Sequence, residues 1–142
     1  MRKFTPYLLL LIPILTALSG CMTFRMSSKE IERYFVLKNV PVVQESYRLQ
    51  GRTIQYVVSG NYAKPLVLFV HGSPGSLSAF IHFLADTILL DDALLVTADR
   101  PGFGYSNFGN AEPSLKKQAA LLKPILERYQ HNRPIILVGH SL

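Results

Sequence analysis

Apolar residues follow strand-like spacing in several parts of the chain. Residues 46–58 alternate apolar and polar positions on either side of Gly51, and this pattern predicts a β-hairpin with its turn at the glycine. Three short apolar runs are each bounded by turn residues, as expected for strands that are buried on both faces of a sheet. These runs lie at 66–70, 93–98 and 135–138.

Helix-like spacing fills the segments between these runs. Residues 76–90 carry apolar side chains at helical intervals, and 114–129 carry a continuous apolar stripe behind Ser114. Pro124 lies inside the second segment and is expected to kink or divide that helix, because proline lacks a backbone donor. A hairpin followed by β-α-β-α-β predicts an α/β fold with a largely parallel sheet and right-handed crossovers.

The first 21 residues have the composition of a secretory signal. A basic pair at 2–3 precedes an apolar run at 4–18, which is shorter than the roughly 20 residues that a transmembrane helix needs. The tetrad LSGC at 18–21 resembles a bacterial lipobox. This resemblance implies cleavage before Cys21 and attachment of lipid to its thiol. A plain cleaved signal and an uncleaved anchor are the alternatives.

The lipobox resemblance divides the chain into three parts. Residues 1–20 are expected to be a lipoprotein signal peptide, 21–45 a tether or spacer, and 46–142 the folded domain. A short helix capped by serine is expected within the tether, near residues 29–35. Several acyl chains on one cysteine anchor a protein stably, so we expect a lipid-anchored protein of the bacterial cell envelope. Met22 slightly favours the outer membrane, on its periplasmic face.

Composition adds little to these assignments. The chain has 142 residues and a formal net charge of +6, but no basic block is longer than Lys116-Lys117. A nucleic-acid groove would need clustered basic residues with stacking aromatics, so no nucleic-acid partner is expected. Cys21 is the only cysteine, which excludes an internal disulfide and a cysteine-rich metal site. No metal or cofactor is expected, and the oligomeric state is left open.

Three polar, glycine-rich stretches follow the predicted parallel strands. They are HGSPG at 71–75, DRPGFGYS at 99–106 and GHSL at 139–142. Open α/β sheets place their sites at this edge, and a strand that ends in Gly-x-Ser is typical of a nucleophile elbow. In this order the stretches resemble the N-terminal half of an α/β-hydrolase. The expected fold is therefore the first part of that fold, truncated after the elbow.

The resemblance implies a role for residues of each stretch. Ser141 matches the nucleophile, which attacks the acyl carbon once a base removes its proton. The backbone N–H groups of Ser73 and Leu142 match the donors that stabilise the oxyanion. Four further residues are implied to shape the supporting loops: His71, Gly72, Gly75 and Asp99.

The partners of this nucleophile are expected elsewhere. The family's chain order is nucleophile, acid, histidine, which puts both partners after residue 142. His140 is the neighbour of Ser141 on a tight turn, and His82 and His131 are expected at the surface. Asp99 is expected to hold the loop that follows it rather than to act as the acid. We therefore expect little or no hydrolase activity from the 142-residue chain.

Serine at position 141 narrows the reaction class. Haloalkane dehalogenases and epoxide hydrolases of this fold use aspartate there, whereas serine indicates acyl transfer. The leading hypothesis is a membrane-tethered hydrolase that acts on a carboxylic ester or related acyl substrate through a Ser141 acyl-enzyme. HGSPG is close to the HGGPG of proline iminopeptidases, so a peptidase or amidase with a peptide substrate is a second hypothesis. A non-catalytic truncated lipoprotein is the third.

Overall fold

A computed structural model describes residues 25–141 of the chain. The predicted signal peptide at 1–20, the lipidation site Cys21 and the oxyanion residue Leu142 lie outside the described residues. The helices are α1 (Ser28–Lys38), α2 (Ile81–Leu84), α3 (Thr87–Asp92) and α4 (Leu115–Tyr129), and a short 3₁₀ helix spans Leu77–Phe80. The strands are β1 (Val43–Leu49), β2 (Arg52–Gly60), β3 (Leu66–Val70), β4 (Leu94–Ala98) and β5 (Ile135–Gly139).

The five strands form one sheet in the order β1-β2-β4-β3-β5. The hairpin of β1 and β2 is antiparallel, and β2 also pairs antiparallel with β4. Its two-residue turn has positive φ at both Gln50 and Gly51, which suits the right-handed twist of the flanking strands. Strands β4, β3 and β5 are mutually parallel, and Val70 pairs with both Ala98 and Gly139. Their carboxyl ends therefore meet at one edge, which we call the carboxyl edge.

Helices cover the sheet on both faces, because successive side chains of a strand point to opposite sides. One apolar cluster joins α4 to residues such as Tyr56, Leu68 and Val96. The other joins α1, the 3₁₀ helix and α2 to Val57 and Phe69. This arrangement confirms the predicted α/β class. Among residues 25–141, no helix is both long enough and apolar enough to cross a membrane.

Two predicted helices differ in detail from the structure. The segment 76–90 is not one helix, because Asp86 has extended backbone angles and caps a new helix by accepting from the N–H groups of Ile88 and Leu89. Helix α4, by contrast, is not divided at Pro124. Buried side chains on either side of the proline, Leu121 and Ile125 among them, hold both halves of α4 against the sheet.

Strand β5 is more exposed than its apolar sequence predicts. Ile136 and Leu137 are 51% and 64% exposed, whereas the continuous apolar run predicted burial on both faces. The strand pairs with β3 on one side, and within the described part of the chain no strand pairs with its other side. The predicted burial of β5 on both faces was wrong for the described residues, because α4 only partly covers the sheet at this edge strand.

The part of the expected tether from residue 25 onward packs against the domain. Helix α1 starts with a capping box, in which Ser27 and Glu30 exchange side-chain and backbone hydrogen bonds. Its residues Ile31 and Phe35 are buried among side chains of the sheet and the 3₁₀ helix. The predicted helix is confirmed, but it is a layer of the fold rather than a spacer, because its apolar face needs the sheet for burial.

The burial of α1 predicts a large effect for one substitution. We expect Phe35→Ala to lower the free energy of unfolding by about 3–5 kcal/mol, since it leaves a cavity in a fully buried site. Urea denaturation of both proteins measures this difference. The neighbouring Val36 is exposed, and Val36→Ala should change the value by less than about 0.5 kcal/mol. Equal, small effects of the two substitutions would show that α1 is only loosely attached.

Candidate active site

Ser141 stands on a strained turn at the carboxyl edge. Its φ is 46°, in the left-handed region that side chains with a Cβ rarely adopt. The turn is held where the N–H of His140 donates to the carbonyl of Val70 at 3.1 Å, which extends the pairing between β5 and β3. The side chain of Ser141 is exposed. An exposed serine on such a turn is the geometry of a nucleophile elbow.

The loop after β3 lies directly against this turn. A Cβ added to Gly72 would come within 2.6 Å of the carbonyl oxygens of His140 and Ser141 and 2.8 Å of the Ser141 Cβ. Glycine is therefore required there by space rather than by its backbone angles. Gly75 lies in the same loop and packs against Gly72. A Cβ on Gly75 would lie 3.0 Å from the Gly72 carbonyl oxygen, so a larger residue would crowd this turn. The structure thus brings together Ser141 and the predicted oxyanion loop.

His71 orients that loop through both ring nitrogens. Nδ1 lies 2.7 Å from the Gly72 carbonyl oxygen, and Nε2 accepts from the backbone N–H of Arg100 at 3.0 Å. Since Nε2 accepts, Nδ1 carries the proton and donates. The Gly72 carbonyl thus points towards the imidazole, and the Ser73 N–H of the same planar peptide points away from it. Burial and the nearby Arg100 charge lower the pKa of His71, which favours this neutral form.

Arg100 and Gln118 complete the support; Arg100 lies in the DRPGFGYS stretch of the sequence analysis, whereas Gln118 was missed. The Arg100 guanidinium donates from Nε to Gln118 Oε1 at 2.9 Å and from Nη1 to the His71 carbonyl at 3.3 Å. Gln118 also donates to the Glu112 carbonyl at 2.5 Å. The available signal was Gln118 itself, a polar residue on the side of α4 that faces the sheet.

Asp99, which was predicted to support this edge, bonds to the backbone of the loops that follow β3 and β4. Oδ1 accepts from the Leu77 N–H and Oδ2 from the Tyr105 N–H, both at 2.7 Å. The carboxylate fills the space against Gly104, where any Cβ would overlap it. Burial raises the pKa of Asp99 to about 6, although the two N–H donors and Arg25 act in the opposite direction. Both oxygens are used by these loops.

No described histidine is placed as the base for Ser141. His71 has both nitrogens engaged, as given above. His82 lies on α2, and His131 lies in the loop before β5, at the end of the sheet opposite to the carboxyl edge. His140 immediately precedes Ser141 on the same turn. Within residues 25–141, no three histidine, cysteine or acidic side chains come together in a metal-binding arrangement.

A cavity of about 570 Å³ lies beside Ser141, between α4 and the face of β3 and β5 that α4 only partly covers. Its walls are mostly apolar and include Leu122 and Leu137. Because Leu137 is among the exposed residues of β5, this cavity is the uncovered part of the sheet described above. Its shape therefore does not define a substrate.

The family assignment follows from this edge geometry and from the sequence. Residues 65–142 match the sequence profile of the alpha/beta hydrolase fold family. The chain therefore belongs to the α/β-hydrolase fold family, which confirms the resemblance and the predicted fold. A search of curated proteins found no match.

Solved structures of this fold resemble the chain over part of their length. A membrane phospholipase A, described as a bacterial virulence factor, matches with a TM-score of 0.62 and 22% identity, over 95% of this chain and 43% of that one. The Cif epoxide hydrolase from Acinetobacter nosocomialis matches with 0.59 and 17%, over 84% and 40%. The thioesterase domain from the curacin biosynthetic pathway matches with 0.58 and 22%, over 71% and 36%. At these identities the likeness establishes the fold and no particular reaction.

The raised pKa of Asp99 predicts a pH dependence of stability. A carboxyl group whose pKa is higher in the folded state stabilises the fold fully below its unfolded value of 3.8, and this contribution is lost as the pH rises through about 6. The difference corresponds to about 3 kcal/mol. We expect the stability gap between the native chain and Asp99→Asn to fall by about 2 kcal/mol from pH 4 to pH 7, since part of the contribution is already lost at pH 4.

Urea denaturation at a series of pH values measures the gap. At pH 4 the native chain should be the more stable, by about 1–3 kcal/mol, because the asparagine side chain of the variant turns an amide donor toward a backbone N–H. The exposed Asp91, as Asp91→Asn, is the control and should give a gap near zero throughout. A gap that is constant or widens with pH would contradict the prediction.

Proposed function

We propose that the protein is a serine hydrolase that acts on a carboxylic ester or related acyl substrate through an acyl-enzyme on Ser141. The observation that carries the proposal is the position of Ser141. It is an exposed serine on a left-handed turn at the carboxyl edge, in contact with the Gly72 backbone. The chain spans 36–43% of the three solved structures compared above, and the activity is therefore a proposal.

The proposed reaction has two steps. The Ser141 hydroxyl oxygen bonds to the acyl carbon, its proton passes to a base, and the carbonyl electron pair moves onto the oxygen. The N–H groups of Ser73 and Leu142 donate to this oxyanion, and its collapse expels the alcohol, which takes the proton from the base. Water then attacks the acyl carbon in the same way and frees Ser141.

Hydrogen bonds of the described residues support the oxyanion part of this mechanism, and the base is inferred from the family's chain order. The His71 hydrogen bonds preorganise the peptide that carries the Ser73 N–H, and preorganised donors are worth about 10²–10³ in rate. The base is proposed to be a histidine that follows Ser141 in the family's chain order, since none of the four described histidines is placed for this role. Serine at 141, rather than aspartate, supports acyl transfer over the epoxide and haloalkane reactions.

Anchoring is the second part of the proposal. The tetrad LSGC at 18–21, preceded by a basic pair and an apolar run, supports lipidation of Cys21 and retention at the cell envelope. The partners are then the membrane and an acyl substrate.

Active-site labelling tests the nucleophile. In membranes of cells that express the native protein, a fluorophosphonate probe should modify Ser141, and Ser141→Ala should abolish the labelling because alanine has no hydroxyl oxygen to form the adduct. Ser46→Ala is the control, since Ser46 is exposed on β1 at the far side of the sheet. Mass spectrometry of the tryptic peptide identifies the labelled residue.

Absence of labelling in the native protein would favour the non-catalytic lipoprotein, and rapid hydrolysis of a proline anilide but not of an ester would favour the peptidase.

Membrane partition tests the anchor. We expect the native protein in the membrane fraction and Cys21→Ser in the soluble fraction, because serine offers no thiol for the lipid. Mass spectrometry of the N-terminal peptide should show the lipid on Cys21. Unchanged partition of Cys21→Ser would argue against the lipobox, whatever the result of the labelling.

A further inference from the structure

Arg25 fixes the start of the described chain to the loop that follows β4. Its Nη1 donates to the Gly104 carbonyl at 2.6 Å. The guanidinium carbon lies 4.5 Å from the centre of the Tyr105 ring and 5.2 Å from that of Phe108, within the range of cation–π contacts. The backbone N–H of the next residue, Met26, donates to Ser78 Oγ at 2.8 Å. Residues 25–26 are thus attached to the loops after both β3 and β4.

These attachments lie at the same edge as Ser141. The loops that begin after Val70 and Ala98 leave the carboxyl ends of strands that are parallel to β5, and β5 ends at the elbow. We call Arg25, Tyr105 and Phe108 the aromatic rim. Its two aromatic side chains are 44% and 58% exposed, although they are large enough to be buried in a core.

Arg25 supplies the positive charge of the rim, and the carboxylate that interacts with it, Asp99, lies beneath the loop rather than at its surface. The segment 99–112 contains two carboxylates, and neither is exposed beside the rim. Asp99 is fully buried, and Glu112 is mostly buried and forms an ion pair with Arg52 at 3.5 Å. A cation flanked by exposed aromatic rings suits the interface of an anionic bilayer, where such rings lie at the level of the headgroups.

The covalent chain limits the distance from the rim to Cys21. Four residue steps separate Cys21 from Arg25, and an extended chain spans at most ~3.6 Å per step, so the two Cα atoms lie within about 14 Å of each other. A lipid on Cys21 therefore brings the rim to the bilayer surface. The opposite end of the sheet, with Tyr62 in the turn before β3, has no such connection.

We propose that the aromatic rim docks onto the anionic phospholipid surface that anchors Cys21, so that the carboxyl edge and Ser141 face the bilayer. This inference rests on the anchor in the proposed function and deepens it. An elbow that faces the bilayer meets acyl esters of membrane-resident lipids directly. The substrate class is then an acyl lipid presented by the membrane itself, rather than an ester dissolved in the aqueous phase.

Tryptophan fluorescence tests the orientation, because the natural chain contains no tryptophan. Phe108→Trp places a single reporter in the rim, and Tyr62→Trp places one at the opposite end of the sheet, where Tyr62 is also exposed. Each lipidated full-length protein is reconstituted into vesicles of phosphatidylethanolamine and phosphatidylglycerol with brominated acyl chains. We expect the bromines to quench the reporter at 108 at least threefold more strongly than the reporter at 62.

One further variant and one change of lipid separate the contributions of Arg25 and of the anionic headgroups. Adding Arg25→Ala to the Phe108→Trp protein should bring its quenching close to that of the reporter at 62, while the protein stays with the vesicles through its lipid. Replacing phosphatidylglycerol by phosphatidylcholine should weaken the quenching at 108, since the cationic rim then loses its anionic partner.

The outcomes distinguish a failure of the docking from a failure of the lipid anchor or of the hydrolase proposal. Equal or absent quenching of both reporters, in protein that carries its lipid and remains on the vesicles, would overturn the docking and leave the anchor intact. Absence of lipid on Cys21 in mass spectra would overturn both. Fluorophosphonate labelling of Ser141 depends on neither measurement, so a failure of the hydrolase proposal is recognised separately.

Discussion

The buried imidazole of His71 is the contact on which the carboxyl edge depends. One ring nitrogen holds the Gly72 carbonyl and the other holds the Arg100 N–H, so a single side chain links the loops after β3 and β4. The Gly72 peptide in turn lies against His140 and Ser141. A change in the tautomer of His71 would leave two buried backbone groups without partners, which is costly because their hydrogen bonds no longer offset their removal from water. The turn at Ser141, the predicted oxyanion loop and the loop after β4 are therefore held together as one unit by these contacts.

This unit is polar in a place where the fold is otherwise apolar. Asp99 and Arg100 are both buried, and the guanidinium is held by neutral oxygen atoms and the ring of Phe103. Desolvation raises the pKa of Asp99, so this carboxyl group destabilises the folded state at neutral pH relative to a solvated one. Backbone hydrogen bonds from two separate loops offset part of that cost. Asp99 thus lowers the stability of the domain at neutral pH while it fixes the backbone at Leu77 and Tyr105.

Much of this edge could be predicted from the sequence, because its parts are local. An apolar run that ends in His-Gly or Gly-His-Ser specifies a strand and the turn that follows it, and parallel strands bring such turns together. The contacts of Arg25 could not be predicted, since Gly104 is 79 residues away and no periodicity links the two. The burial of α1 was missed for the same reason: the amphipathic spacing of Ile31 and Phe35 identifies a helix but not the surface that it covers. Strand β5 shows the opposite error: its apolar pattern predicts burial on both faces, but the described residues leave Ile136 and Leu137 exposed.

The fold and the reaction are determined at different places in the chain. A phospholipase, an epoxide hydrolase and a thioesterase domain all share this scaffold with the chain, at TM-scores of 0.58–0.62. What the likeness shows them to share with the chain is the fold. The atom at the elbow then decides the chemistry, because a serine oxygen must first lose its proton while a carboxylate does not. Ser141 consequently requires a base, whereas the His71 network supplies only orientation. The described residues place Ser141 against the Gly72 backbone, and the proton transfer of the proposed acyl reaction requires a base outside the His71 network.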